Sequence, residues 1–143
     1  MGILGTPDAN FWIFNHFVPP GEKCDSLPFD PNARSSWYAN AYRSRMKAGD
    51  IAYIWMTNPE AQGGLYGYGT LAGKPYPLGN EDAFGVDVDL VQPFSPHIPM
   101  ERIKRDRKLK DLLICNAPKA TNFLLSPDQG MALMKFIRSN KKR

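Results

Sequence analysis

The chain has 143 residues, 43% of them apolar and 22% charged, with a formal net charge of +4, which is typical of a globular protein. Its 12 glycines and 13 prolines exclude a coiled coil, and no apolar run reaches the roughly 18 residues that a membrane-spanning helix needs. We therefore expect one domain over residues 1–143, with an extended lead-in at 1–10 and a basic tail at 140–143. Two alternatives stay open for residue 143: a natural end, or a cut within a longer protein.

Short aromatic, β-branched or alternating runs predict strands, and turn residues separate them. The predicted strands cover residues 11–18, 50–57, 64–71, 84–91 and 123–125. Short helices are predicted over 37–47 and 99–106, and proline-rich loops over 21–36 and 73–83. Because the strands are short and rich in glycine, the pattern predicts a mixed α+β (α/β) fold, a small β-barrel flanked by short helices.

The last helix has a clear start signal. Ser126 is a capping residue, Pro127 suits the first helical position, and Gln129 lies three residues after the cap. Apolar residues then recur with helical spacing and predict a buried stripe. The stripe consists of Gly130, Leu133, Met134 and Ile137.

The cysteine and histidine content favours an intracellular protein without a metal. Cys24 and Cys115 are the only cysteines, and no Asn-x-Ser/Thr acceptor or signal-peptide pattern occurs. With only His16 and His97 besides, we expect no structural zinc site and no cofactor.

Positive charge is concentrated in the C-terminal third. Residues 1–100 contain 6 Lys/Arg and 10 Asp/Glu, whereas residues 101–143 contain 12 Lys/Arg and 4 Asp/Glu. This asymmetry indicates either a polyanionic partner or a solvated helix face followed by a basic tail.

No catalytic motif is present, and the aromatic residues are the more informative group. Asp87 and Asp89 fit a solvated strand face, and a lone His16 on an aromatic strand fits packing better than catalysis. Trp12 and Trp55 fit a barrel core, whereas Trp37, after a loop and before a predicted helix, fits a partly exposed wall on which a flat ligand stacks.

Several segments, in order, resemble the EVE domain, a PUA-like barrel related to the YTH readers. They are FWIFNHF, SSWYANAYRSRMKAGDIAYIW, GGLYGYGTL, VDVDLV, HIPMERIKRDRKLKDL and TNFLLSPDQGMALMKFI. The resemblance implies a non-catalytic module that binds a modified, methylated base in an aromatic pocket. The base would be flipped out of DNA, in a defence or restriction system where the module is fused to or associated with an ATPase or nuclease.

The resemblance also implies site residues. Trp37 matches one wall of the YTH cage, and Asn15 and His16 match the polar residues that contact the base edge. For the second wall the sequence offers Tyr76, with Phe84 beyond it. Further pocket candidates are Trp55 and Thr57, at the end of a neighbouring strand.

Phosphate contacts are expected from the basic residues of two segments. These residues are Arg43, Arg45, Lys47, Arg105 and Arg107. Two alternatives stay open: an RNA reader of the PUA or YTH type, and a small amidohydrolase of the related ASCH group. The amidohydrolase would need a Lys/Glu pair in the pocket, and none is evident near Trp37.

Overall fold

The computed structural model describes residues 9–17, 35–39, 42–57, 63–79, 83–112 and 122–141. Residues 1–8 of the expected lead-in, residues 21–34 of the expected first loop and both cysteines lie outside these ranges. So do residues 142–143 of the expected basic tail.

Seven strands, two helices and one 3-10 turn make up the described part of the chain. The strands are β1 (Phe11–Phe17), β2 (Ser35–Tyr38), β3 (Ile51–Thr57), β4 (Gly64–Leu71), β5 (Tyr76–Pro77), β6 (Phe84–Pro99) and β7 (Asn122–Leu125). The helices are α1 (Met100–Lys104) and α2 (Pro127–Lys141), and the 3-10 turn is Arg43–Arg45.

The strands form one mixed sheet that curls into a nearly closed barrel. Its order is β2-β6-β4-β3-β1-β7, with β5 added to β6. β1 and β3 are parallel, with Phe11 opposite Ile51 and Phe17 opposite Thr57, while the other pairs are antiparallel. The expected fold class, a small PUA-like barrel with flanking helices, is confirmed.

Because strand side chains alternate between the faces of a sheet, each strand contributes to two separate apolar clusters. The barrel interior is filled from β1, β2, β3, β4 and β6. It contains Trp12, Phe14, Trp37, Ala39, Met46, Ala52, Ile54, Leu71, Val86 and Val88. On the opposite side of the sheet, which the helices cover, the other residues of β1 and β3 pack against α1, α2 and the segment after α1. They include Ile13, Tyr53 and Trp55.

Two predicted elements differ from the structure. The helix expected over 37–47 is instead strand β2 followed by the 3-10 turn, because Trp37 and Ala39 are buried in the barrel while Tyr38 between them is exposed. The strand expected to end at Val91 continues to Pro99. β2 and β5 pair only with residues 84–88 of β6. Among the described strands, one edge of β6 is therefore unpaired after residue 88, and a proline there interrupts no hydrogen bond of the sheet.

Helix α2 begins as its sequence predicts. The Gln129 amide donates to Ser126 Oγ at 3.1 Å, and the Ser126 amide donates to Gln129 Oε1 at 3.3 Å, which is a reciprocal capping box. The apolar stripe from Gly130 to Ile137 is buried on the helix-covered side.

Candidate nucleic-acid interface

Trp37 lies in the barrel interior at the point where β2 approaches the end of β1. Its ring centroid is 6.3 Å from that of Phe14 and 6.4 Å from that of His16, which stands almost perpendicular to it. Phe14 and His16 are two residues apart on β1 and therefore share a face. Trp37 is 9% exposed, whereas the His16 side chain that meets it edge-on is exposed to solvent.

Asn15, Trp55 and Thr57 face the other way. The Thr57 hydroxyl donates to Asn15 Oδ1 at 2.8 Å, and Trp55, 1% exposed, packs with Ile13 and Tyr53 on the helix-covered side. The structure therefore brings His16 and Trp37 together and separates them from these three predicted pocket residues. Successive side chains of a strand point to opposite faces of the sheet, so Asn15 and His16 cannot line the same pocket. The resemblance to the family matched the two residues by position and did not take this alternation into account.

Tyr76 is held away from Trp37 by a hydrogen bond. Its hydroxyl donates to Asp87 Oδ1 at 2.6 Å, and Asp87 alternates on β6 with Val86 and Val88, whose side chains fill the barrel. Tyr76 thus lies on the outer face of the sheet, across from the expected first wall.

Phe84, which the sequence offered only beyond Tyr76, lies on the same face of β6 as Val86, the residue paired with Trp37. The Ala39 amide donates to the Phe84 carbonyl at 2.8 Å, and the guanidinium of Arg43 lies 4.1 Å from the centroid of the Phe84 ring. Phe84 and Val86 are two residues apart on β6 and so share a face of the sheet, and Val86 pairs with Trp37. This alternation is the sequence signal that could have placed Phe84 on the same face as Val86.

The 3-10 turn next to this site is basic. Arg43 and Arg45 are exposed, and the turn contains no acidic residue. The Lys47 amino group lies 3.0 Å from Asp50 Oδ1 and forms a salt bridge with it. Of the three cations expected here, Lys47 is therefore tied to the protein's own carboxylate.

Arg105 and Arg107 line a separate groove of about 1000 Å³ between the segment after α1 and the outer side of α2. We call this the basic groove. Lys108, from the basic 102–110 stretch expected to contact phosphates, and Lys135, which the sequence did not single out, add two cations, and Asp106 and Asp128 offset part of the charge. Since the segment and α2 pack on the helix-covered side, the basic groove and Trp37 lie on opposite sides of the β1–β3 sheet.

The described residues form neither a metal-binding cluster nor a membrane-spanning helix. These ranges contain no cluster of three or more His, Cys, Asp or Glu side chains arranged to hold a metal ion. Neither described helix is long and apolar enough to cross a membrane.

Solved structures with the same architecture have little sequence in common with the chain. A hypothetical protein from Leishmania major superposes with a TM-score of 0.69 at 16% identity, covering 95% of this chain and 98% of that one. The human THYN1 protein, in complex with DNA containing 5-methylcytosine, gives a TM-score of 0.66 at 15% identity, covering 94% and 99%. The DUF55 domain of human thymocyte nuclear protein 1 gives 0.64 at 18% identity, covering 92% and 98%.

Sequence comparison identifies the family. No curated protein matches the chain. The sequence model of the EVE domain matches residues 26–136, which is most of the chain and includes every strand from β2 to β7. The chain therefore belongs to the EVE domain family.

Proposed function

We propose that this chain is a non-catalytic reader that binds a methylated base in DNA, with 5-methylcytosine as the first candidate. The observation that carries the proposal is the pair of His16 and Trp37, an exposed imidazole that meets an almost buried indole edge-on. Membership of the EVE family supports it, as does the structural similarity to THYN1, a protein solved with 5-methylcytosine DNA.

Access to the indole requires a small movement. At 9% exposure, Trp37 offers too little surface for a base to stack on it directly. His16 is exposed, and exposed side chains change rotamer on the picosecond to nanosecond timescale. In the proposed complex, the His16 ring turns aside, the base stacks on Trp37, and the Phe84–Arg43 pair borders the opening.

The other predicted residues have different roles in this proposal. The bond between Thr57 and Asn15 joins the ends of β1 and β3, and so positions His16 rather than touching the base. Trp55 supports β3 from the helix-covered side. Tyr76, bound to Asp87, stiffens the outer face near β5.

Phosphate contacts must provide much of the affinity. A buried methyl group contributes about 0.8 kcal/mol, roughly a fourfold preference, while flipping a base from a duplex costs a few kcal/mol. Arg43 and Arg45 are next to the proposed pocket, and Arg105 and Arg107 line the basic groove on the opposite side of the β1–β3 sheet, a second place for phosphate contacts.

The experiment is a fluorescence-anisotropy titration against matched oligonucleotides. DNA and RNA strands would carry cytosine, 5-methylcytosine, adenine or N6-methyladenine at one central position. A reader of modified DNA binds one methylated DNA several-fold more tightly than its plain counterpart, and mass spectrometry finds each oligonucleotide chemically unchanged. Equal affinity for all strands contradicts the proposal, tighter binding of methylated RNA favours the RNA reader, and a changed base establishes an enzyme.

A further inference from the structure

Tyr42 has a backbone conformation that is unfavourable for tyrosine. It precedes the 3-10 turn with φ 57° and ψ 26°, in the left-handed region. Across the described ranges it is the only residue other than glycine with a positive φ. Glycine and asparagine adopt this conformation readily, whereas the Cβ of other residues crowds the backbone.

The turn needs the backbone of Tyr42 rather than its ring. The Tyr42 carbonyl accepts the Arg45 amide at 2.9 Å, and its side chain forms no capping hydrogen bond. The tyrosine is 58% exposed and belongs to neither apolar cluster. Glycine would satisfy the same backbone contacts without the steric cost, so stability does not account for a tyrosine here.

The surroundings of the ring suit a nucleic acid strand. Tyr42 is followed directly by Arg43, whose guanidinium stacks on Phe84, and then by the exposed Arg45. Phe84 is hydrogen-bonded to Ala39, two residues after Trp37. An exposed aromatic ring beside two cations is the combination that binds unpaired bases, since the ring stacks on a base while the cations meet its phosphates.

We propose that Tyr42 stacks on an unpaired nucleobase that neighbours the methylated base in the bound DNA. Arg43 and Arg45 contact the phosphates on either side of that base. This inference rests on the proposed reader function and adds a second base-binding position outside the barrel. Because the neighbouring base is unmodified, the contact raises affinity for methylated and plain DNA alike.

The test uses Tyr42→Gly in the full chain. This substitution removes the ring and suits the left-handed backbone, so the melting temperature should not fall. Affinity for single-stranded DNA should decrease about 5- to 150-fold, the equivalent of roughly 1–3 kcal/mol per stacked base. Tyr42→Phe keeps the ring and should bind like the parent. Tyr38→Ala is the matched control, since Tyr38 is 54% exposed but follows Trp37 on β2 and points to the outer face.

A positional readout distinguishes this inference from the proposed function. The fluorescent base 2-aminopurine, placed next to 5-methylcytosine, should be quenched by the parent and by Tyr42→Phe, and less by Tyr42→Gly. The preference for 5-methylcytosine over cytosine should be equal in all three. Unchanged quenching and affinity in Tyr42→Gly, or an equal loss in Tyr38→Ala, overturns the inference and leaves the reader function intact. A parent without any methyl preference contradicts the reader function itself.

Discussion

The indole nitrogen of Trp12 donates a 2.9 Å hydrogen bond to Oδ2 of Asp50, and both side chains are fully buried. The same carboxylate accepts the Asn10 amide at 3.0 Å, and the amide and amino group of Lys47 at 3.2 and 3.0 Å. Asp50 thereby ties the start of β1 to the segment that carries the basic 3-10 turn. The Lys-Ala-Gly-Asp sequence at 47–50 is thus a structural anchor next to the candidate site.

Replacing this carboxylate should destabilise the whole barrel. Asp50→Ala leaves the buried Trp12 indole and the partly buried Asn10 amide without their acceptor and should lower the free energy of unfolding by about 3–5 kcal/mol. Urea denaturation followed by tryptophan fluorescence measures the change. Asp111→Ala, at an exposed carboxylate after α1, is the control and should shift stability by about 0.5 kcal/mol or less. A similar loss in both variants would contradict the anchoring role.

Alkaline pH should unfold the protein through Tyr53. Its hydroxyl donates to the Gly130 carbonyl at 2.8 Å, and burial raises the pKa of Tyr53 well above its ordinary value, with the nearby Tyr68 adding to the effect. Because the folded pKa is the higher one, stability is fully present below about pH 10 and decreases above it.

Tyr53→Phe checks this prediction. It should cost about 1–2 kcal/mol at pH 7, where it leaves the Gly130 carbonyl without its donor, and should make the melting temperature less sensitive to pH above 10. An alkaline transition that is identical in Tyr53→Phe and the parent would place its cause elsewhere.

Two substitutions at the start of α2 should lower the stability of the protein by different amounts. Ser126→Ala removes the cap and should cost about 1 kcal/mol. In Gly130→Ala the new Cβ would overlap the ring of Phe11, so the helix or β1 must shift, at about 1–3 kcal/mol or more. Thermal denaturation ranks them, with the exposed Ser139→Ala as the neutral control. Loss of stability in Ser139→Ala equal to that in Gly130→Ala would argue against close packing at Gly130.

Charge reversal in the basic groove should weaken all DNA equally. The double variant Arg105→Glu and Arg107→Glu should reduce affinity for methylated and plain oligonucleotides by the same factor, because phosphates carry no sequence information. The slope of log affinity against log salt should become shallower by about 2, one for each lost contact. Lys74→Glu, an exposed reversal between β4 and β5, is the control. An unchanged salt slope would show that Arg105 and Arg107 do not contact the DNA phosphates.

Sequence patterns predict the fold better than the site, for physical reasons visible in particular residues. Aromatic and β-branched composition identifies β1, alternation identifies β3 and β4, and the capping residues place the start of α2, because local chemistry determines these elements. The strand containing Trp37 was missed because WYANAYRSRMK has helical composition, and burial in the barrel overrides that preference. Asn15 and His16 point to opposite faces of the sheet, and which face is the barrel interior depends on how the strands pair in the folded protein.

The central claim, that Trp37 discriminates a methylated base, is tested most directly by comparing Trp37→Phe with Trp12→Phe. Both substitutions shrink an indole in the same barrel interior, and both should lower the melting temperature. Phenylalanine is preferred to alanine because Trp37, 9% exposed, is part of the core, and alanine would cost about 3–5 kcal/mol. The sequence predicts a partly exposed wall at Trp37, whereas the structure buries the indole in the barrel interior.

The measurement is the ratio of affinities for 5-methylcytosine and cytosine DNA, determined by anisotropy well below each variant's melting temperature. We expect Trp12→Phe to retain the parent's ratio and Trp37→Phe to bring it close to one. If Trp37→Phe keeps the parent's ratio, or both variants lose it equally, Trp37 is a core residue only and the account of the site is wrong.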